Sequence, residues 1–277
     1  MHLTRKDIAT IAGLVIGWVL AVLLSHRLAA GWTPVVAVGL AMTFIVAALY
    51  EVYRRLAGAL RHYHDEPSVN YRQIESLFSL FASLPIRHPL PPMRVAAVSP
   101  DFANTLVGLI RELRPQTVVE LGSGLSTLIA AYGLSQNGKG RIMSLEQDDR
   151  YAEVTRSFLA ERGLQEVARV VHAPLREITL KGRSCLWYDT TSLSELESID
   201  LLVVDGPLQQ GETRPRIRYP ALPLLVDKLG RRAVVLMDDG SREDERGVAQ
   251  MWGEEYPQFE RQEVPSEKGT FILRRKA

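Results

Sequence analysis

Acidic residues recur in this 277-residue sequence where an acid is costly, at the ends of otherwise aliphatic stretches. Glu120 closes "TVVE" just before the glycines of "LGSGLST", and Glu146 closes "RIMSLE". Asp205 follows "IDLLVV", and Asp238 and Asp239 follow "RAVVLM". His172 and Ala173 end a fifth such stretch, "ARVVHA". A carboxylate can accept both hydroxyls of a ribose, pair with a cation, or take a proton from a reacting hydroxyl. Gly122 and Gly124, with Ser123 between them, permit a tight turn and close approach of backbone to a ligand. The turn lacks the lysine of a phosphate-binding loop, and Thr127 stands where a dinucleotide fingerprint has its third glycine. Both absences count against ATP and NAD. Carboxylates also serve as helix caps, but Glu120 precedes the glycines, inside the end of its stretch.

The elements that would hold these residues alternate. "SPDFANTLVGLIRELRP" reads as a helix capped near Ser99, and "TVVELG" as a buried strand running into the helix "STLIAAYGLSQ". "GRIMSLEQ", "ARVVHA" and "IDLLVVDG" are the second to fourth strands, with the helix "RYAEVTRSFLAERG" after the second. The helix "YPALPLLVDKLG" leads to a fifth strand, "RAVVLMDD", followed by the helix "REDERGVAQMWGEEY". "FERQEV" and "GTFILRR" form a closing hairpin across "PSEKG". Strands alternating with helices predict an α/β, doubly wound parallel sheet, made mixed by the terminal antiparallel pair. In such a sheet ligands bind beyond the carboxyl ends of the strands, where strand order reverses. All the acids named above lie there.

The N-terminal part reads differently. Residues 8–24 and 33–50 carry no charge, and each run is long enough for a membrane-crossing helix of roughly 17–25 residues. Arg5 and Lys6 precede the first run and Arg54, Arg55 and Arg61 follow the second, with only Arg27 between. Basic flanks stay cytoplasmic, so the expectation is a transmembrane hairpin over 1–55 in the cell membrane, with everything beyond it facing the cytoplasm. Residues 56–94 read as a membrane-proximal helical linker ending in the proline-rich "PIRHPLPPM", and 95–277 as the globular domain. A net charge of +1 argues against nucleic acid as a partner, and the lone Cys185 excludes an internal disulfide.

"VVELGSGLST", "SLEQDDRY", "LLVVDGP" and "VVLMDD", in that order, resemble the class I S-adenosylmethionine-dependent methyltransferases over roughly residues 95–277. The resemblance implies a seven-stranded mixed sheet with an antiparallel last strand and S-adenosylmethionine as cofactor. It implies that Glu120 and the backbone of Gly122, Ser123 and Gly124 hold the methionine part, Glu146 the ribose, and His172 and Ala173 the adenine. The residues after strand four, Asp205-Gly206-Pro207-Leu208, depart from the Asn/Asp-Pro-Pro-aromatic motif of enzymes that methylate amino groups of bases, which favours an oxygen acceptor. Asp205 and Asp238 are the candidates for catalysis. With Asp239 they also resemble the metal-dependent small-molecule O-methyltransferases, in which a Mg²⁺ ion would orient the acceptor hydroxyl and lower its pKa.

The substrate-facing candidates are Trp187 and Tyr188, on an insertion before strand four, and Arg218 and Tyr219, which follow Arg214 and Arg216 in "GETRPRIRYP". The reading is a membrane-anchored methyltransferase acting on oxygen of a small-molecule, lipid-linked or glycan acceptor. The alternative is a catalytically inactive scaffold of the same fold.

Overall fold

The computed structural model describes residues 13, 16–20, 23, 33–208 and 216–276, in two compact units, Met1–Ser68 and Val69–Ala277. A single helix, α1 (Thr33–Ser83), straddles the division. Among the described residues no helix is long and apolar enough to cross a membrane. The two expected spans therefore find no support there. Run 8–24 lies mostly outside the described residues, and in run 33–50 so do the side chains of residues 33–37 and 40.

The second unit carries a seven-stranded sheet in the order β3-β2-β1-β6-β7-β9-β8. Its strands are β1 (Thr117–Leu121), β2 (Arg141–Glu146), β3 (Ala168–His172), β6 (Ile199–Val204), β7 (Leu229–Met237), β8 (Phe259–Val264) and β9 (Thr270–Arg275). The first five of these pair in parallel, and β9 runs antiparallel to both β7 and β8. This is the predicted mixed sheet. Successive residues of each central strand point to opposite faces, so one apolar run feeds two cores. Val118, Leu201, Val203, Val234 and Leu236 enter one, and Val119, Leu202, Val204, Val235 and Met237 the other. Helices α2 (Pro100–Leu113), α3 (Leu125–Asn137) and α4 (Asp149–Glu161) pack on the first face, and α5 (Ala221–Leu225) and α6 (Glu243–Glu255) on the second.

Three details depart from the sequence reading. The stretch before β6 is a hairpin of its own, β4 (Leu175–Leu180) and β5 (Arg183–Tyr188), turning on Lys181 and Gly182, both at positive φ. Two central residues in the left-handed region are what a tight hairpin requires. The helix before β7 is α-helical only over Ala221–Leu225 and tightens to a 3-10 turn over Val226–Lys228, and β7 begins at Leu229, ahead of the predicted start. Finally, part of the segment read as linker packs with the second unit, where Leu80 and Leu84 are buried in its core.

Asp101, near the start of α2, explains that attachment. Its carboxylate accepts from Gln73 Nε2 at 2.7 Å, Ser99 Oγ at 2.5 Å and the Glu267 backbone at 2.8 Å. Ser99 is at the expected cap position but orients Asp101 instead of capping the helix backbone.

Candidate functional site

The parallel register brings the tips of β2, β1 and β6 together, setting Glu120 beside Ser144 and Val203 and Glu146 beside His172. Strand order reverses at β1, the place where loops part and leave a crevice.

Glu120 is wholly buried. Its Oε2 accepts from Thr127 Oγ1 at 2.5 Å and Ser144 Oγ at 2.6 Å, while Oε1 has no partner among the described residues. Burial pushes its carboxyl up to about 7, the Asp205 charge adds to this, and the hydroxyls of Ser126, Ser144 and Thr127 oppose it. An acid left buried with one bare oxygen is costly unless a cation or donor completes it. Thr127 also accepts from the Gly124 backbone at 3.1 Å, so it closes the turn where a dinucleotide fingerprint would have glycine. In the sequence Thr127 stands out only as the missing third glycine, and Ser144 not at all. The signal for Ser144 is a hydroxyl residue directly across the parallel pair from a buried acid.

The glycines have separate reasons. Gly124, at φ 137°, would direct a Cβ into open space, so the left-handed backbone conformation rather than crowding calls for glycine there. Gly122, at φ 104°, donates to the Leu145 carbonyl at 2.8 Å and lies against Gly206, where a Cβ would come within 3.4 Å of the Gly206 nitrogen. Ser123 ties the turn to the next strand, donating to Glu146 Oε2 at 2.8 Å, while Glu146 Oε1 accepts from the Asp148 backbone at 3.1 Å. Glu120 and Glu146 thus flank one turn. Ala173 is buried beside them, its backbone donating to the Glu146 carbonyl at 2.7 Å. His172 is exposed, with Nδ1 at 3.8 Å from Asp149.

At the tips of β6 and β7 the arrangement differs from the sequence reading. Arg218, expected to face a substrate, is 1% exposed. Its Nη2 donates to the Asp205 carbonyl at 2.6 Å and Asp239 Oδ2 at 2.8 Å, and its Nη1 to the Asp238 carbonyl at 3.0 Å. The guanidinium fills the point where the three acids were expected to hold a metal. Among the described residues no group of three or more histidine, cysteine or acidic side chains could hold a metal ion. A Mg²⁺ ion does not fit beside Arg218, because two cations would share the same oxygens.

Asp238 is fully buried with neither carboxylate oxygen partnered, and burial with the charges of Asp205 and Asp239 pushes it up to about 8. With no exposed surface, Asp238 offers no oxygen to a reacting hydroxyl in this conformation. Asp205 is partly exposed, and burial raises its carboxyl above the ordinary range although Arg218 opposes this.

Trp187 and Tyr188 are also core residues. Their rings meet edge to face at 5.4 Å, and a Cβ on Gly206 would come within 2.2 Å of the Tyr188 hydroxyl. The hairpin therefore braces the loop after β6 from behind. Tyr219 is engaged as well, donating to Glu255 at 2.6 Å. A hollow of about 320 Å³ lies on this side, walled by Pro207, Leu208, Ile217, Arg242 and Val248 among others. Arg214 falls outside the described residues.

Residues 119–240 match the family model of a methyltransferase domain. No curated protein matches the chain. An O-methyltransferase from Bacillus cereus, solved with SAH, is 19% identical at a TM-score of 0.49, covering 74% of this chain and 90% of its own. TomG from Streptomyces achromogenes, an O-methyltransferase of tomaymycin synthesis solved with SAM, is 19% identical at 0.48, covering 66% and 82%. The Podospora anserina methyltransferase PaMTH1, with SAH bound, is 15% identical at 0.49, covering 74% and 88%. Residues 119–240 thus carry a methyltransferase domain, and the glycine turn with its buried Glu120 lies at the start of that stretch.

Proposed function

We propose that the chain is an S-adenosylmethionine-dependent methyltransferase acting on an oxygen of a small-molecule or lipid-linked acceptor, anchored by its N-terminal part to the cell membrane with the catalytic unit on the cytoplasmic side. The observation that carries the cofactor half is the buried, unpartnered Oε1 of Glu120 at the start of the glycine turn. S-adenosylmethionine supplies a methyl group on a positively charged sulfur. Glu120 suits its ammonium, Glu146 its ribose hydroxyls if Ser123 yields, and residues 172–173 border the adenine. Asp205 is the proton acceptor: it takes the hydroxyl proton as the acceptor oxygen bonds to the methyl carbon and the C–S electron pair stays on sulfur. A carboxylate raised above its ordinary range is the better base near neutral pH.

Oxygen is favoured by the Asp205-Gly206-Pro207-Leu208 sequence, which lacks the paired prolines and aromatic of base N-methylation. Membrane attachment rests on the uncharged runs 8–24 and 33–50 and on the first unit's exposed apolar side chains. Val38, Met42, Ile45, Val46 and Leu49 are each more than half exposed and, at i, i+4, i+7, i+8 and i+11, share one face of their helix. An exposed apolar stripe of this kind calls for lipid or protein against it. The test is incubation of the full chain with methyl-labelled S-adenosylmethionine and separated membrane-lipid and soluble extracts. A labelled methyl ether or ester in the lipid fraction supports the whole reading, and label confined to soluble amines would overturn the oxygen assignment.

A further inference from the structure

We infer that Arg218 is a built-in cation standing where a divalent metal would otherwise sit at the acceptor side, so that the tips of β6 and β7 are organised without metal. This rests on the methyltransferase reading above and assigns Arg218 as a positioning residue. The guanidinium reaches the backbone carbonyls of both strand tips, Asp205 and Asp238, and the carboxylate of Asp239. Asp205 Oδ1 at 3.9 Å and Glu245 Oε1 at 3.7 Å complete its surroundings. A planar fork can hold several oxygens at once in a fixed arrangement, as an ion does through coordination.

Charge balance points the same way. Asp205, Asp239 and Glu245 are the carboxylates within 4 Å of Arg218, burial beside them favours the neutral form of Asp238, and Arg218, Arg242 at 2.8 Å and Lys268 at 4.0 Å from Asp239 are the cations. Little net negative charge is left to attract a divalent ion. Asp239 adopts φ 63°, a left-handed conformation uncommon outside glycine, and its carboxylate lies between Arg218 and Arg242. A strained residue persists when its surroundings over-determine it, and these two arginines do so.

The test uses the full chain. Wild type is titrated with Mn²⁺ by electron paramagnetic resonance, and its S-adenosylmethionine affinity is measured in EDTA and in Mg²⁺. The expected results are no stoichiometric Mn²⁺ binding and the same affinity in both buffers. Arg218→Ala leaves the carboxylates around a void, so millimolar guanidinium or Mg²⁺ should raise its melting midpoint by several degrees while leaving wild type unchanged. Rescue by a small cation is not expected of a residue that only fills space. Stoichiometric Mn²⁺ on wild type overturns the inference, as does an Arg218→Ala protein that folds but ignores both cations. The wild-type titration decides alone if that variant does not fold. Loss of S-adenosylmethionine binding with the metal results as expected would remove the functional reading and leave this one.

Discussion

Glu120 joins structure to function through a single unpaired oxygen. Its native pKa of about 7 lies above the ordinary 4.5, so the stability it contributes is complete below about 4.5 and is lost as pH rises through 7. By linkage, Glu120→Gln should therefore make the cofactor-free protein more stable at pH 8, by up to about 3 kcal/mol, as read by denaturant melts. The same variant should bind S-adenosylmethionine at least tenfold more weakly, a loss of about 1.4 kcal/mol. In wild type, affinity should fall as pH drops below 7, by up to about tenfold per pH unit, because the ligand's ammonium needs the ionised carboxylate. An affinity flat from pH 5.5 to 8 would remove Glu120 from the cofactor site. Glu120 and Glu146 were legible because acids at the ends of aliphatic strands are conspicuous. Arg218 was not, because it stands in a run of arginines, and its burial is decided by partners at 205, 238 and 239 that only the folded sheet assembles.

Among the elements, the loops after β1 and β6 are pressed together and held from behind by the β4–β5 hairpin. Gly206 is the contact point, with the Tyr188 hydroxyl where a Cβ would go. Gly206→Ala should cost about 1–3 kcal/mol of stability, the usual range for forcing extra volume into a packed site, and should weaken cofactor binding by moving the Gly122 turn. Tyr188→Phe removes the clashing oxygen, so the double variant should recover part of both losses. If the two substitutions are additive, the hairpin does not brace the cofactor turn. The parallel sheet was readable from the alternation of strands and helices, and so was its antiparallel end. The hairpin is visible in "LREITL" and "RSCLWY" on either side of a two-residue Lys-Gly turn, but the adjacent aromatics Trp187 and Tyr188 give its second strand the look of a substrate cover. The shortened helix before β7 was hidden as well: "PALPLLVDKLG" carries a helical pattern past the point where pairing with β6 claims Leu229.

For the whole molecule, the second unit holds its own sheet, both cores and every residue assigned to the site. Residues 69–277 should therefore fold and bind S-adenosylmethionine with the affinity of the full chain. The full chain should stay with membranes through a carbonate wash that leaves the shorter protein in solution. Equal release of both would remove the membrane part of the proposal. The central claim is that one cleft at the tips of β1 and β2 takes S-adenosylmethionine, and calorimetric titration of the full chain with that compound tests it most directly. The account predicts one site per chain in wild type and its loss in Glu120→Ala and Glu146→Ala proteins that melt as folded species. Absence of binding to folded wild type, or unchanged affinity in both variants, would contradict it.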